Sequence, residues 1–153
     1  MIIMGIDPGR RTGLAILDHD KNYLGVFAEV KRHKDESLET HANQILYTIE
    51  NKINIGILKF PDKVIVEKPE HRPGSPVRVS DILDLAYFTG LIVGKLAEYT
   101  TVETVTPMRW KGDVKKDPHN RRVEKLLSLP LGLSDHVIDA FGLALYGIVK
   151  RRI

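Results

Sequence analysis

No cysteine occurs among the 153 residues. That excludes thiol nucleophiles, disulfide frameworks and cysteine-bound zinc, and it suits a reducing compartment. No apolar run approaches the roughly 18 residues of a membrane span, and the first six residues are too few for the core of a secretion signal. Internal repeats, linkers and low-complexity stretches are missing too. Aromatic residues are sparse, with a single tryptophan, Trp110. These absences leave a soluble, cytoplasmic chain read as one domain over 1–153. At this length folding buries roughly 68–70% of the unfolded surface, so a core needs no disulfide or metal staple.

Charge is present in modest excess. The net charge is +3 and the isoelectric point about 9.1. Its distribution is uneven: 109–125 holds seven Lys or Arg against three acids. Such a patch suits a phosphate-backbone footprint, and a solvated surface loop is the competing reading.

The pattern predicts mixed α/β architecture. Residues 2–6 form a continuous apolar run, as a strand covered on both faces does. TGLAIL, 12–17, and 22–31 read as two further strands joined by a turn, hence a hairpin. Ser37 reads as an N-cap for a helix through Ile53. VIVE, 64–67, is a strand, and 68–79 is a loop rich in proline. Ser80 and Asp81 open a long helix to about Tyr99, and 101–105 is a fifth strand. After Pro107 comes a basic irregular stretch, then a short helix over 119–128. Ser134 caps a last helix to about Lys150. The order predicts a hairpin edge joined to a parallel half.

Three acids stand out. Asp7 and Glu67 each end an apolar strand, where an open α/β sheet forms its crevice. A turn former explains Asp7 as well, and a surface ion pair explains Glu67. Asp139 lies inside an apolar helix, where a lone carboxylate needs a partner or a metal. Asp135 and His136, at i−4 and i−3, can share its face. Asp135 also suits the first turn of a capped helix. Clustered oxygen donors of this kind favour Mg²⁺ or Mn²⁺, and two such ions suit phosphodiester hydrolysis.

GIDPGRRTGLAIL (5–17), VIVEKP (64–69), LDLAYFTGLIVG (83–94) and HVIDAFGLALYG (136–147) together resemble the RuvC family of Holliday-junction resolvases, within the RNase H-like superfamily. The resemblance implies an RNase H-like α/β fold with a five-stranded mixed sheet flanked by helices. It also implies an endodeoxyribonuclease that resolves branched DNA by paired symmetric nicks. Asp7, Glu67, His136 and Asp139 match the family's catalytic and metal-binding set, with two Mg²⁺ or Mn²⁺ per site. The family carries Asp or His at the position of His136, and imidazole favours Mn²⁺. The expected partners are a four-way junction and a second copy of the chain, with no membrane and no small-molecule cofactor. The setting would be a bacterial or phage-infected cytoplasm.

Arg10, Arg11, Arg72, Arg78, Lys111, Lys115, Lys116, Arg121 and Arg122 are the candidate DNA contacts. Arg10 and Arg11 have structural ion pairs as the alternative. Loop 68–78 matches the family's insertion toward the junction crossover. TPMRWKGDVKK, 106–116, departs from the bacterial pattern and resembles phage or divergent members. Trp110 serves there as a core anchor or as a platform for a base. Gly90 and Gly94 permit a close helix approach, within this chain or to a second copy. Alternative functions are a YqgF-like protein of RNA processing and a catalytically weak branched-DNA binder. Sugar kinases and actin-like ATPases start similarly, but they need a second such domain.

Overall fold

Alternation along the first strand sets the architecture. The computed structural model describes residues 1–20, 23–55, 59–71, 73, 74, 76–150 and 153. Strand β1, Ile2–Asp7, pairs antiparallel with β2, Arg11–Asp18, which pairs antiparallel with β3, Tyr23–Lys31. On its other edge β1 pairs parallel with β4, Lys63–Glu67, and β4 pairs parallel with β5, Thr101–Val105. The sheet order β3-β2-β1-β4-β5 is the expected hairpin joined to a parallel half.

Side chains alternate between two cores. Met4, Ile6, Leu14, Ile16, Val64 and Val66 pack with helices α1, Leu38–Ile55, and α2, Val79–Leu96. Ile3, Ala15, Leu17 and Ile65 pack with helix α5, Asp135–Val149. The continuous apolar run of β1 is thereby explained, because both faces are covered. Parity also places Asp7 and Glu67 on the α5 face, since Ile3 and Ile65 lie there.

α5 presses unusually close. A Cβ on Gly5 would stand 1.8 Å from the Ala140 carbonyl oxygen, and one on Gly13 would stand 1.9 Å from that of His136. Two bare glycines on adjacent strands therefore form the bed on which the helix rests.

Several element boundaries differ from expectation. α2 begins at Val79, after an Arg78 N-cap whose side chain accepts no capping bond from the helix N–H groups, and ends at Leu96. Ser80 is therefore inside the helix. The basic stretch contains a short helix α3, Pro107–Trp110, because Pro107 suits the first helical turn. Gly112, at φ 68°, then reverses the chain with its N–H donated to the Pro107 carbonyl. α4 spans Lys116–Leu127, starting three residues earlier than predicted and carrying Pro118 in its first turn. Ser134 does cap α5, accepting the Val137 N–H at 3.4 Å. Among the described residues no helix is long and apolar enough to cross a membrane.

Candidate active site

The carboxyl ends of β1 and β4 lie side by side, with Ile6 opposite Val66. Asp7 and Glu67 are thus neighbours at one lip of the sheet. The turn after Asp7 is held rigid. The Gly9 N–H donates to Thr12 Oγ1 at 3.3 Å, and the Thr12 hydroxyl donates to the Gly9 carbonyl at 3.0 Å. His41 of α1, fully buried and stacked on Phe88, donates Nε2–H to that same carbonyl at 3.3 Å. The sequence reading passed over His41, although its place in the first turn of a helix with an apolar face was the available signal.

α5 supplies the remaining groups. His136 Nδ1 lies 2.9 Å from Asp7 Oδ2. Asp139, one turn further, is buried and close enough to Asp7 and Glu67 to raise the cost of charging both. Asp135 points elsewhere, accepting from Asn120 Nδ2 at 2.8 Å and pairing with Lys116 at 2.8 Å. Asp7, Glu67, His136 and Asp139 therefore come together, and Asp135 does not join them.

Lys111 stands among the acids. Its ammonium is 3.3 Å from Asp139 Oδ2 and 3.7 Å from Glu67 Oε2. Gly112 makes this possible by turning the chain directly after it. Trp110 is wholly buried, packed over Gly142, so stacking on a base is ruled out and the core-anchor reading holds. It also donates Nε1–H to Glu67 Oε2 at 2.7 Å, which its sequence context did not signal.

Of the other candidate DNA contacts, Arg11 pairs with Glu29 at 2.8 Å, matching the structural alternative for that residue. Arg10 is exposed and lines a cleft of about 370 Å³ with Arg32, Asp81 and Asp84. Arg78 is exposed and pairs with Asp81 at 3.2 Å. Lys115, Lys116, Arg121 and Arg122 are exposed on and before α4. Arg72 lies outside the described residues.

Burial is the chief cause raising Asp7 above the usual carboxylate range; Asp139 adds to it, while the His136 contact opposes it. Burial likewise pushes Glu67 up to about 7, against the pull of Lys111. His136 is raised, chiefly by its bond to Asp7. For all three the raised folded pKa gives stability that is present at low pH and lost as pH rises through it. Glu67 alone, moving from 4.5 to about 7, is worth about 3 kcal/mol over that window. His41 and His119 are lowered by burial, and their contribution runs the other way, fading below about pH 6.5. The Glu67 loss falls between pH 4.5 and about 7, largely where the two buried histidines oppose it. Above pH 6.5 they no longer do, and the metal-free protein is expected to lose stability from there to pH 8 through His136 and the last of the Glu67 titration. Urea melts in EDTA across that range check this, and a flat profile would contradict it.

Among the described residues no three of His, Asp and Glu stand ready to share an ion. The donors nevertheless fit a divalent cation. They are oxygen-rich, mutually repelling and desolvated, and Asp139 Oδ1 is buried with no hydrogen-bond partner among the described residues. The Lys111 ammonium already answers that demand for positive charge.

No family model matches the chain, and no curated protein sequence does. Solved structures do. Thermus thermophilus RuvC in complex with Holliday junction substrate superposes with a TM-score of 0.75 at 21% identity, covering 96% of this chain and 94% of that one. A second T. thermophilus RuvC structure gives 0.68 at 20% identity, covering 96% and 95%. With its five-stranded mixed sheet, flanking helices and element order, the chain has the RNase H-like fold of RuvC.

Proposed function

We propose that residues 1–153 form one nuclease domain of the RuvC type, which nicks branched DNA in symmetric pairs. One observation carries the reading. Asp7, Glu67, His136 and Asp139 converge at the carboxyl edge of β1 and β4, on a fold whose similar structure holds a Holliday junction.

Asp7, Glu67, His136 and Asp139 would hold Mg²⁺ or Mn²⁺, two per site. Bound there, such ions supply Lewis acidity that activates water and offsets charge on the leaving 3′ oxygen. This chain's own residues do the rest. Burial of Asp7 and Glu67 keeps the carboxylates poorly solvated, so they favour a cation over bulk water. Trp110 fixes one oxygen of Glu67. Lys111, which pairs with Glu67 and Asp139 here, would be free to meet a phosphate oxygen once those acids held a cation. Lys115, Lys116, Arg121 and Arg122 line the approach as point contacts to the backbone.

A two-fold substrate asks for a two-fold protein. α2 offers the surface. Val79, Leu83 and Tyr87 are exposed at four-residue spacing, while Phe88, Thr89, Ile92 and Leu96 face the core. A Cβ on Gly90 or Gly94 would meet nothing within 4 Å, so these glycines serve no packing in this chain. The proposed partner is a second copy, with the two α2 helices in contact. Leu83→Arg is expected to weaken self-association at least about tenfold by placing a charge in that contact. Equilibrium sedimentation with an unaltered association constant would remove α2 from the interface.

The test of function is cleavage of an end-labelled mobile four-way junction in Mg²⁺, Mn²⁺ or EDTA, beside a structured RNA. Paired nicks in either metal, none in EDTA and an intact RNA are expected. Cleavage of the RNA alone, or of neither substrate, would overturn the proposal.

A further inference from the structure

The proposal above leaves His119 without a task, yet the structure confines it tightly. Its side chain is 1% exposed, in the first turns of α4. Neither ring nitrogen makes a hydrogen bond of good geometry among the described residues, the Ile153 backbone being the nearest approach to one. Nε2 stands 3.7 Å from Asp139 Oδ1, which is itself buried and unpartnered. Two orphaned groups thus face each other at a distance too long for a hydrogen bond and too short for a water between them. Buried polar groups are normally satisfied, and a pair left open in this way marks a place where local economy yields to function.

The surroundings limit what the ring can do. It meets Trp110 edge-on, with centroids 4.9 Å apart and planes at 76°. Trp110 in turn donates to Glu67. The two rings therefore form one block behind the acids, each aimed at a different carboxylate. Asp139 Oδ2 already faces the open side, where Lys111 lies 3.3 Å away.

We infer that His119 is a positioning residue for Asp139. Its Nε2–H donates to Oδ1 when the site is loaded, which leaves Oδ2 turned toward the cations. A shift of a few tenths of an ångström closes the gap, and Asp139 Oδ1 has no hydrogen-bond partner among the described residues to compete for the bond. Outer hydrogen bonds of this kind set the orientation and affinity of metal-binding carboxylates.

The inference rests on the cation site proposed above, and the experiment separates the two. Mn²⁺ binding to wild type, His119→Leu, His119→Gln and Asp7→Asn is measured by titration calorimetry and by the Mn²⁺-induced rise in Tm. His119→Leu fills the same space without polar atoms, so its Tm in EDTA is expected to equal or exceed wild type. Its Mn²⁺ affinity is expected to fall by about 10–100-fold. His119→Gln restores a donor, and its affinity is expected to stay within a few fold of wild type. Should the leucine variant fail to fold, His119→Met provides the same apolar comparison.

If His119→Leu binds Mn²⁺ like wild type while Asp7→Asn does not, the positioning role is wrong and the cation site stands. A lower Tm with unaltered affinity means a purely structural histidine and has the same consequence. If Asp7→Asn also binds Mn²⁺ like wild type, the cation site itself is misplaced and the inference falls with it.

Discussion

Asp7→Asn is expected to slow junction nicking by about 10²–10³-fold or more while leaving junction binding within a few fold of wild type. The exchange keeps shape and removes one charge. Asp7 faces His136 at 2.9 Å and shares its surroundings with Asp139 and Glu67. An amide there cannot hold a divalent cation as a carboxylate does, so the chemistry loses its anchor. DNA affinity comes from cations elsewhere on the surface and is untouched. The same variant is expected to be more stable than wild type in EDTA at pH 8. Burial disfavours a charged Asp7, and its removal relieves repulsion with Asp139. Lost activity with gained stability is the signature of a site held against its own electrostatics. Single-turnover nicking, a gel-shift titration and urea melts measure the three quantities. Near-normal nicking would contradict the role given to Asp7.

The second large effect comes from a residue with no side chain. Gly13→Ala places a methyl group 1.9 Å from the His136 carbonyl oxygen. Neither atom belongs to a flexible side chain, so rotation cannot relieve the clash. α5 must lift from β2, and it carries His136 and Asp139 away from Asp7. Overpacking typically costs 1–3 kcal/mol, and a backbone clash this close belongs at or beyond about 3 kcal/mol. A displacement near 1 Å is also enough to cost about 100-fold in rate. Gly5→Ala, 1.8 Å from the Ala140 carbonyl, is expected to behave likewise. Urea denaturation and nicking assays report both effects. An alanine variant within 0.5 kcal/mol of wild type, a margin typical of neutral surface changes, would show that the helix is not seated as described.

Much of this architecture is legible in local pattern. The apolar run of β1, the alternation in β3 and the Ser134 cap each follow from rules acting over a few residues. The convergence of Asp7 with Glu67 follows from two strands ending in acids, once those strands are parallel neighbours. The preference for His136 over Asp135 came from the family resemblance, and the contact with Asp7 agrees with it.

What escaped the sequence is tertiary. The Trp110 bond to Glu67 joins residues 43 apart, and no spacing encodes it. α3 has only four residues, too few for a helical period to register in the sequence. α4 starts at Lys116 rather than 119, with Pro118 in its first turn, where proline is tolerated. His41 and His119 were missed for one reason: a polar residue on an apolar helix face gives no hint of which backbone or acid will meet it.

The pairing of His136 with Asp7 spans 129 positions of the chain. The strand that carries Asp7 therefore leaves the ribosome well before the helix that carries His136 and Asp139. A growing chain thus has no assembled acidic cluster until that helix docks onto its two-glycine bed. On the function proposed above, the chain would be inert until α5 is made, and truncated products lacking α5 would have no activity.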